Sequence, residues 1–350
     1  MKNRILDKIE RLGERGYFSN ATVECTGRCN LSCRYCYVDR NKKDLSTSEL
    51  CSAFDKLAEA GVLNVLLTGG ELFFREDILE ILSHYVTCNF MRTVILSNGT
   101  LINKTHIAFL VKHREQFSYV RLSFFSHIPS IHDSFTGMQG SFTLALDAAL
   151  ALKQQGVNVK VIINIIEENV DTLPATKTFF AGKGFDVSEG IVKIVRPDQE
   201  TAYCRNLTSK PFFDRYFSHF TNEEIQQRCR NTKKISRSMA ETLPLCKRLF
   251  TSIAIRSDGA IVPCIAFRDH SIGNIRQVDG RVLQKAVRDS ELITTLRTLK
   301  ISEVNICPTC DHLGTCILCP GMMYSENRSF TEPLVLNCNY MKALHEAMDR

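Results

Sequence analysis

The sequence predicts an α/β fold: a parallel sheet of six strand–helix units followed by a smaller, cysteine-rich α+β region. Three observations predict it. Apolar, β-branched runs alternate with segments of helical periodicity from about residue 20 to 200. Glycines and polar capping residues separate those segments. Most of the 15 cysteines gather in two places instead of spreading along the chain. At 350 residues, 44% hydrophobic and 23% charged, the chain is long enough to bury one large core and a smaller second one.

Strands are expected at 21–25 (ATVEC), 62–68 (VLNVLLT), 93–97 (TVILS), 119–125 (YVRLSFF), 157–166 (VNVKVIINII) and 191–195 (IVKIV). Helices are expected at 47–60, 75–85, 103–114, 142–155 and 172–182. Thr47 and Asn103 sit where N-caps belong, and Gly61 and Gly156 close helices. Six units are too few to close an eight-stranded barrel, so the residues allow an open partial barrel or a doubly wound sheet. Either arrangement binds ligands at the carboxyl ends of the strands. The first cysteine group follows the first strand and therefore sits at that end. Residues 204–240 read as helical and carry Arg228, Arg230, Lys233, Lys234 and Arg237, which suit a solvated helix face or an acidic partner. From Cys246 onward come short strands, a Ser257-Asp258-Gly259 turn and seven cysteines. The division expected is a helical lead-in at 1–20, a partial barrel at 21–240 and the cysteine-rich region at 241–350. That last region lacks long apolar runs, so its stability is expected to depend on bound metal.

The opening MKNRILDKIERLGERG is charged throughout, and no run approaches the roughly 18 apolar residues of a membrane span. A cytoplasmic protein is expected. In a reducing compartment, clustered cysteines point to metal more than to disulfides. A net charge of +6, the absence of tryptophan and the lack of a basic stripe interleaved with aromatics argue against nucleic acid as a partner.

The stretch C29-N-L-S-C33-R-Y-C36 offers three thiolates from one loop. Three thiolates can hold three irons of a [4Fe–4S] cluster and leave the fourth iron open; the alternative is a zinc site borrowing a distant ligand. With Tyr35 before the third cysteine, the stretch resembles the cluster signature of the radical S-adenosylmethionine (SAM) enzymes. T68-G69-G70-E71, after the second strand, resembles that family's GGE motif. The resemblance implies a partial (β/α)6 TIM-like barrel, with the cluster on Cys29, Cys33 and Cys36. Its open iron would chelate the amino and carboxylate groups of SAM. It also implies that Gly69, Gly70 and Glu71 contact the methionine amino group, and that Asn98, Ser123 and Asn164 stand where the family contacts the carboxylate or ribose. The stretch 132–142 is similar too, but Thr136 stands where many members carry an arginine.

The C-terminal cysteines resemble the SPASM extension, an auxiliary iron–sulfur domain. Cys246, Gly259 and Cys264 match its opening, and Cys307, Cys310, Cys316 and Cys338 follow its later spacing, while Cys316 and Cys319 stand one residue closer than usual. The resemblance implies two auxiliary [4Fe–4S] clusters, an outer one on Cys307, Cys310, Cys316 and Cys338 and an inner one on Cys246, Cys264 and Cys319. The inner one has an open iron or a distant fourth ligand such as Cys229; two zinc knuckles are the competing assignment. The activity implied is reductive cleavage of SAM to a 5′-deoxyadenosyl radical that abstracts hydrogen from a substrate, with a flavodoxin or ferredoxin-type reductant. The substrate implied is a ribosomally made peptide, crosslinked, oxidised or epimerised. Only 28 residues precede Cys29, so a separate leader-recognition protein is a candidate partner. Porphyrin side-chain modification is the small-molecule alternative. Sulfatase-type maturation is disfavoured because Ile265 stands where those enzymes carry aspartate. A non-catalytic iron–sulfur electron carrier is the alternative from another class. Cys204, after the sixth expected strand, is a candidate hydrogen donor, and Cys51 and Cys88 are expected to be buried apolar residues on helices.

Overall fold

The computed structural model describes residues 11–13, 15–191, 209–231, 236–313, 316 and 318–349. Six parallel strands lie side by side in chain order: β1 (Asn20–Glu24), β2 (Asn64–Thr68), β3 (Arg92–Ser97), β4 (Tyr119–Phe124), β5 (Val159–Ile165) and β6 (Asp186–Ile191). Parallel neighbours need crossovers, and helices supply them: α1 (Thr47–Glu59), α2 (Ile78–Tyr85), α3 (Lys104–Lys112), α4 (Pro129–Thr136), α5 (Ser141–Gln154) and α6 (Leu173–Gly182). Among the described residues the barrel does not close, because β6 is a terminal strand of the sheet.

Alternation decides which face of each strand meets the helices. In β5, Val159, Val161, Ile163 and Ile165 are buried while Lys160, Ile162 and Asn164 turn to the other side. In α1, Leu50, Ala53, Phe54 and Leu57 recur at helical spacing and are buried. Each such large side chain contributes about 1.5–3 kcal/mol relative to exposure. The strands' opposite face is left for ligands.

Several boundaries differ from expectation. Ser46, not Thr47, caps α1, its hydroxyl accepting from Glu49 N while the Glu49 carboxylate accepts from Ser46 N. Asn103 does cap α3. Helix α4 was not anticipated, since its eight residues are too short for a clear period. The sixth strand lies at Asp186–Ile191, and 192–195 are outside the described residues. Among the described residues it is an edge strand bonded only to β5, and it carries Asp186, Ser188 and Glu189, so a search for apolar runs passes over it.

The C-terminal region joins the same sheet. Strand β7 (Ser252–Ile255) pairs parallel with the free edge of β1, and β8 (Ala260–Val262) and β9 (Gly273–Asn274) continue antiparallel. Ile253, Ile255, Ile261, Leu283, Val287 and Ile293 belong to the cluster that includes the barrel core. This region therefore has more apolar packing than its sequence suggested, because the packing is spread over short elements. Its hold on α1 is polar as well: Gly280 N donates to Glu59 at 3.1 Å, Gln284 to Ala60 O at 2.8 Å and Lys56 to Ile275 O at 2.8 Å. Among the described residues no helix is long and apolar enough to cross a membrane.

Candidate active site at the strand ends

The pairing of β1 with β2 runs on past both strands. Cys25 N donates to Thr68 O, Gly70 N to Thr26 O and Glu71 N to Arg28 O, each at 2.8 Å, so 25–28 and 68–71 form a backbone track leading into the cysteine loop. Both glycines are required by that track. A Cβ on Gly70 would lie 2.1 Å from Arg28 O, and one on Gly69, at φ +140°, would lie 2.3 Å from Thr26 O. The missing side chains thus let the cysteine loop seat directly on this turn. Asp44 accepts from Thr26 Oγ1 at 2.5 Å and Gly27 N at 2.7 Å. Arg75, 5% exposed, donates to Cys25 O at 3.0 Å and Leu45 O at 2.9 Å, and the guanidinium holds the Asp77 carboxyl down at about 2. At the far side of the loop, Ser32 N donates to Thr136 O at 2.8 Å.

Glu71 follows the two glycines. Its carboxylate is fully buried and accepts from Ser97 Oγ at 2.8 Å, Phe73 N at 3.1 Å and Asn98 N at 2.7 Å. It is turned into the protein and fixes the end of β3, so it orients Asn98. Burial raises its pKa and the three donors oppose that rise.

Asn98 in turn reaches the first thiol. Its Nδ2 lies 3.7 Å from Cys29 Sγ, Leu31 N lies 3.4 Å from the same sulfur, and Thr100 fixes the amide by donating to Asn98 Oδ1 from N at 2.9 Å and Oγ1 at 2.7 Å. Burial pushes the Cys33 thiol up to about 12, with the charges of Cys36 and Cys29 adding; burial also raises Cys29. Three thiolates this close repel one another unless a cation sits among them. Tyr35 packs edge-on against Phe125 with centroids 5.1 Å apart, in a small apolar cluster with Phe135 and Ile166. Cys25, by contrast, is a core residue whose thiol burial pushes up to about 12.

Register brings the remaining expected residues to one face. Leu96, two residues before Asn98, pairs with Arg121, and Ser123 pairs with Ile162, two residues before Asn164. Asn98, Ser123 and Asn164 therefore share the ligand-side face at the carboxyl ends of β3, β4 and β5. Arg121 lies on that face one layer deeper, and its buried Nε has no hydrogen-bond partner among the described residues. Thr136, 2% exposed, is occupied with Ser141 Oγ at 2.6 Å and Asp133 O at 3.1 Å.

The C-terminal thiols fall into two neighbourhoods. Burial pushes Cys264 up to about 11, and the charges of Cys319 and Cys246 add to the rise. Cys246 and Cys264 pack against the apolar cluster of Leu249, Phe267 and Leu296, and Ala266 N lies 3.4 Å from Cys264 Sγ. Burial likewise pushes Cys307 up to about 11, here with Cys338 and Cys310 adding. Cys316 follows in a turn where its N–H donates to His312 O at 3.1 Å. Arg268 ties this region to the first site, donating to Glu24 at 2.6 Å and standing 5.1 Å from the centroid of the Tyr37 ring. Glu24 is 1% exposed and immediately precedes the cysteine loop.

Residues 23–180 match the profile of the Radical SAM superfamily, and residues 246–311 match SPASM, the iron–sulfur cluster-binding domain. The chain carries a radical SAM domain. It is 29% identical over 269 residues to the antilisterial bacteriocin subtilosin biosynthesis protein AlbA of Bacillus subtilis (strain 168), covering 73% of this chain and 57% of AlbA. It is 35% identical over 156 residues to Fe-coproporphyrin III synthase of Methanosarcina barkeri, covering 43% of this chain and 38% of that enzyme. The chain thus spans 57% and 38% of these curated relatives' lengths. The crystal structure of Streptococcus suis SuiB bound to precursor peptide SuiA superposes with a TM-score of 0.67 at 17% identity, over 95% of this chain and 78% of SuiB, which shows the shared fold.

The cofactors of this radical SAM–SPASM architecture are SAM and iron–sulfur clusters. The donor set fits them. The first site gathers soft thiols with N–H groups aimed at sulfur, a combination that stabilises cluster-bound thiolates.

Reading the sequence missed Asp44, Arg75, Arg121 and the Glu24–Arg268 bridge. Only Arg121 left a signal, a charge on the polar face of an alternating strand. Cys204, Lys233 and Lys234 lie outside the described residues. Arg228 does not serve a solvated face: it pairs with Glu189 and lies 4.1 Å over the Phe220 ring. Cys229, on α8 (Asn222–Asn231), which follows α7 (Lys210–Ser218), has its sulfur beside that of Met348, on the helix at Val335–Met348.

Proposed function

We propose that this protein cleaves SAM reductively and abstracts a hydrogen atom from a ribosomally synthesised peptide, introducing a crosslink, an oxidation or an epimerised centre. The observation that carries this reading is the Cys29–Cys36 loop seated on the Thr68–Glu71 turn, with the Asn98 amide 3.7 Å from Cys29 Sγ. Cys29, Cys33 and Cys36 hold the first cluster. When bound, that cluster with SAM supplies the electron and the 5′-deoxyadenosyl radical. The rest is positioning by the chain. Gly69 and Gly70 fix the loop's height above the strands, and Glu71 sets Asn98. Ser123 and Asn164 line the face on which the nucleotide lies, and Tyr35 closes it against Phe125. Arg121 supplies a cation below that face for a substrate carboxylate. Cys246, Cys264 and Cys319 hold the inner auxiliary cluster, and Cys307, Cys310, Cys316 and Cys338 the outer one.

A peptide substrate is favoured because the match to AlbA, named for subtilosin biosynthesis, runs through 73% of this chain, and because SuiB, crystallised with a precursor peptide, shares the fold over 95% of it. The likeness to the coproporphyrin enzyme covers only 43%. A leader-recognition protein, a flavodoxin or ferredoxin-type reductant and a cytoplasmic location complete the proposal. The test is to incubate the reconstituted holoenzyme anaerobically with SAM, dithionite and each candidate short peptide found by sequencing the gene's neighbourhood. Mass spectrometry is expected to show a loss of two mass units, or solvent-deuterium uptake without net change. An unaltered peptide alongside an oxidised porphyrin in a parallel reaction would transfer the assignment to the porphyrin reading.

A further inference from the structure

Cys88, expected to be a plain buried residue, belongs to a cluster on the outer surface of the barrel, among the helices. Two helical turns face each other there. On α1, Cys51 and Asp55 are spaced i, i+4; His84 on α2 and Cys88 in the 3-10 turn that follows it have the same spacing. That spacing puts each pair on one side of its helix, and α1 packs on α2 through Phe54 and Tyr85, whose rings meet edge-on at 4.8 Å.

The functional atoms converge. His84 Nε2 lies 2.8 Å from Asp55 Oδ1, and Cys88 Sγ lies 3.7 Å from the same oxygen. One ligand atom each from Asp55, His84 and Cys88 lie within 4.8 Å of one another, close enough to share a metal ion. Burial and the Asp55 charge push the Cys88 thiol up to about 12, with the charge of Cys51 adding. Hydrogen bonds join the three groups pairwise through Asp55 Oδ1; a divalent cation would in addition offset the repulsion between a thiolate and a carboxylate held side by side.

We propose that Asp55, His84 and Cys88 hold a zinc ion that fastens α1 to α2. A thiolate, an imidazole and a carboxylate are a borderline-soft donor set, which suits zinc over calcium or magnesium, and a water completes the tetrahedron. No reaction is assigned to it. The site is independent of the proposed activity, being built from residues the clusters do not use.

The test is metal analysis of the cluster-reconstituted holoenzyme, loaded with zinc and desalted. Wild type is expected to retain about one zinc per chain. Cys88→Ala and, separately, the milder Asp55→Asn are expected to weaken zinc retention at least about tenfold against a chromophoric chelator, since even outer-shell changes can do so, with iron content unchanged as the control for folding. Zinc lost from the wild type on desalting, or held equally by both variants, overturns the proposal.

Discussion

The two cysteine-bearing regions are built in opposite ways. In the first, three thiols come from eight consecutive residues, and the surrounding structure shapes one loop: the glycine track, Asp44, Arg75 and the Asn98 amide all act on residues 25–36. In the second, the thiols come from separate short elements between Cys246 and Cys338, packed among apolar side chains. A site made by one loop presents its thiols on one side and leaves the other open. A site converging from several elements can surround its metal. The contrast fits a reactive centre at the strand ends and auxiliary centres behind it, joined through Arg268 and Glu24.

The contrast breaks first at the sulfurs. Replacing Cys29, Cys33 and Cys36 together by alanine is expected to abolish 5′-deoxyadenosine formation and remove about four irons per chain. Cys307→Ala with Cys310→Ala is expected to remove a similar amount of iron while SAM cleavage survives. Equal loss of cleavage in both variants would erase the distinction. Next comes the track: Gly70→Ala drives a Cβ into Arg28 O and is expected to cost about 3 kcal/mol or more by chemical denaturation, with iron lost from the first site only. Arg268→Ala leaves Glu24 buried without its partner and is expected to cost about 3 kcal/mol; Arg268→Ala combined with Glu24→Gln recovers much of that. The smallest effect is pH-dependent. Asp77 is held at about 2 against an ordinary 3.8, so the Arg75–Asp77 pair contributes fully above about pH 4 and fades as pH falls toward 2. The stability gap between wild type and Asp77→Asn, about 2 kcal/mol near neutrality, is expected to shrink by about pH 3 in urea titrations followed by circular dichroism.

What the sequence disclosed follows the same division. The triplet, the glycine turn and the positions of the first five strands were legible because each is a local pattern, fixed by spacing or by alternation within a few residues. The orientation of Glu71 was not. Whether a carboxylate faces a ligand or the core depends on Ser97 and Asn98, some 26 residues away, and nothing in G-G-E encodes that. Nor was β7 expected on the edge of β1, since pairing across more than 200 residues is decided by the whole sheet. The sixth strand was displaced because an edge strand can be polar. Arg75, buried and bonded to two backbone carbonyls, has no sequence signature distinct from that of a surface arginine.

The central claim is that the Cys29–Cys36 corner leaves one metal position for SAM. Electron–nuclear double resonance of the reduced holoenzyme tests it with SAM labelled at the methionine amino nitrogen and carboxylate oxygen. The account predicts hyperfine coupling from both labels, absent in the triple-alanine variant. A cluster signal that SAM leaves unchanged would contradict it.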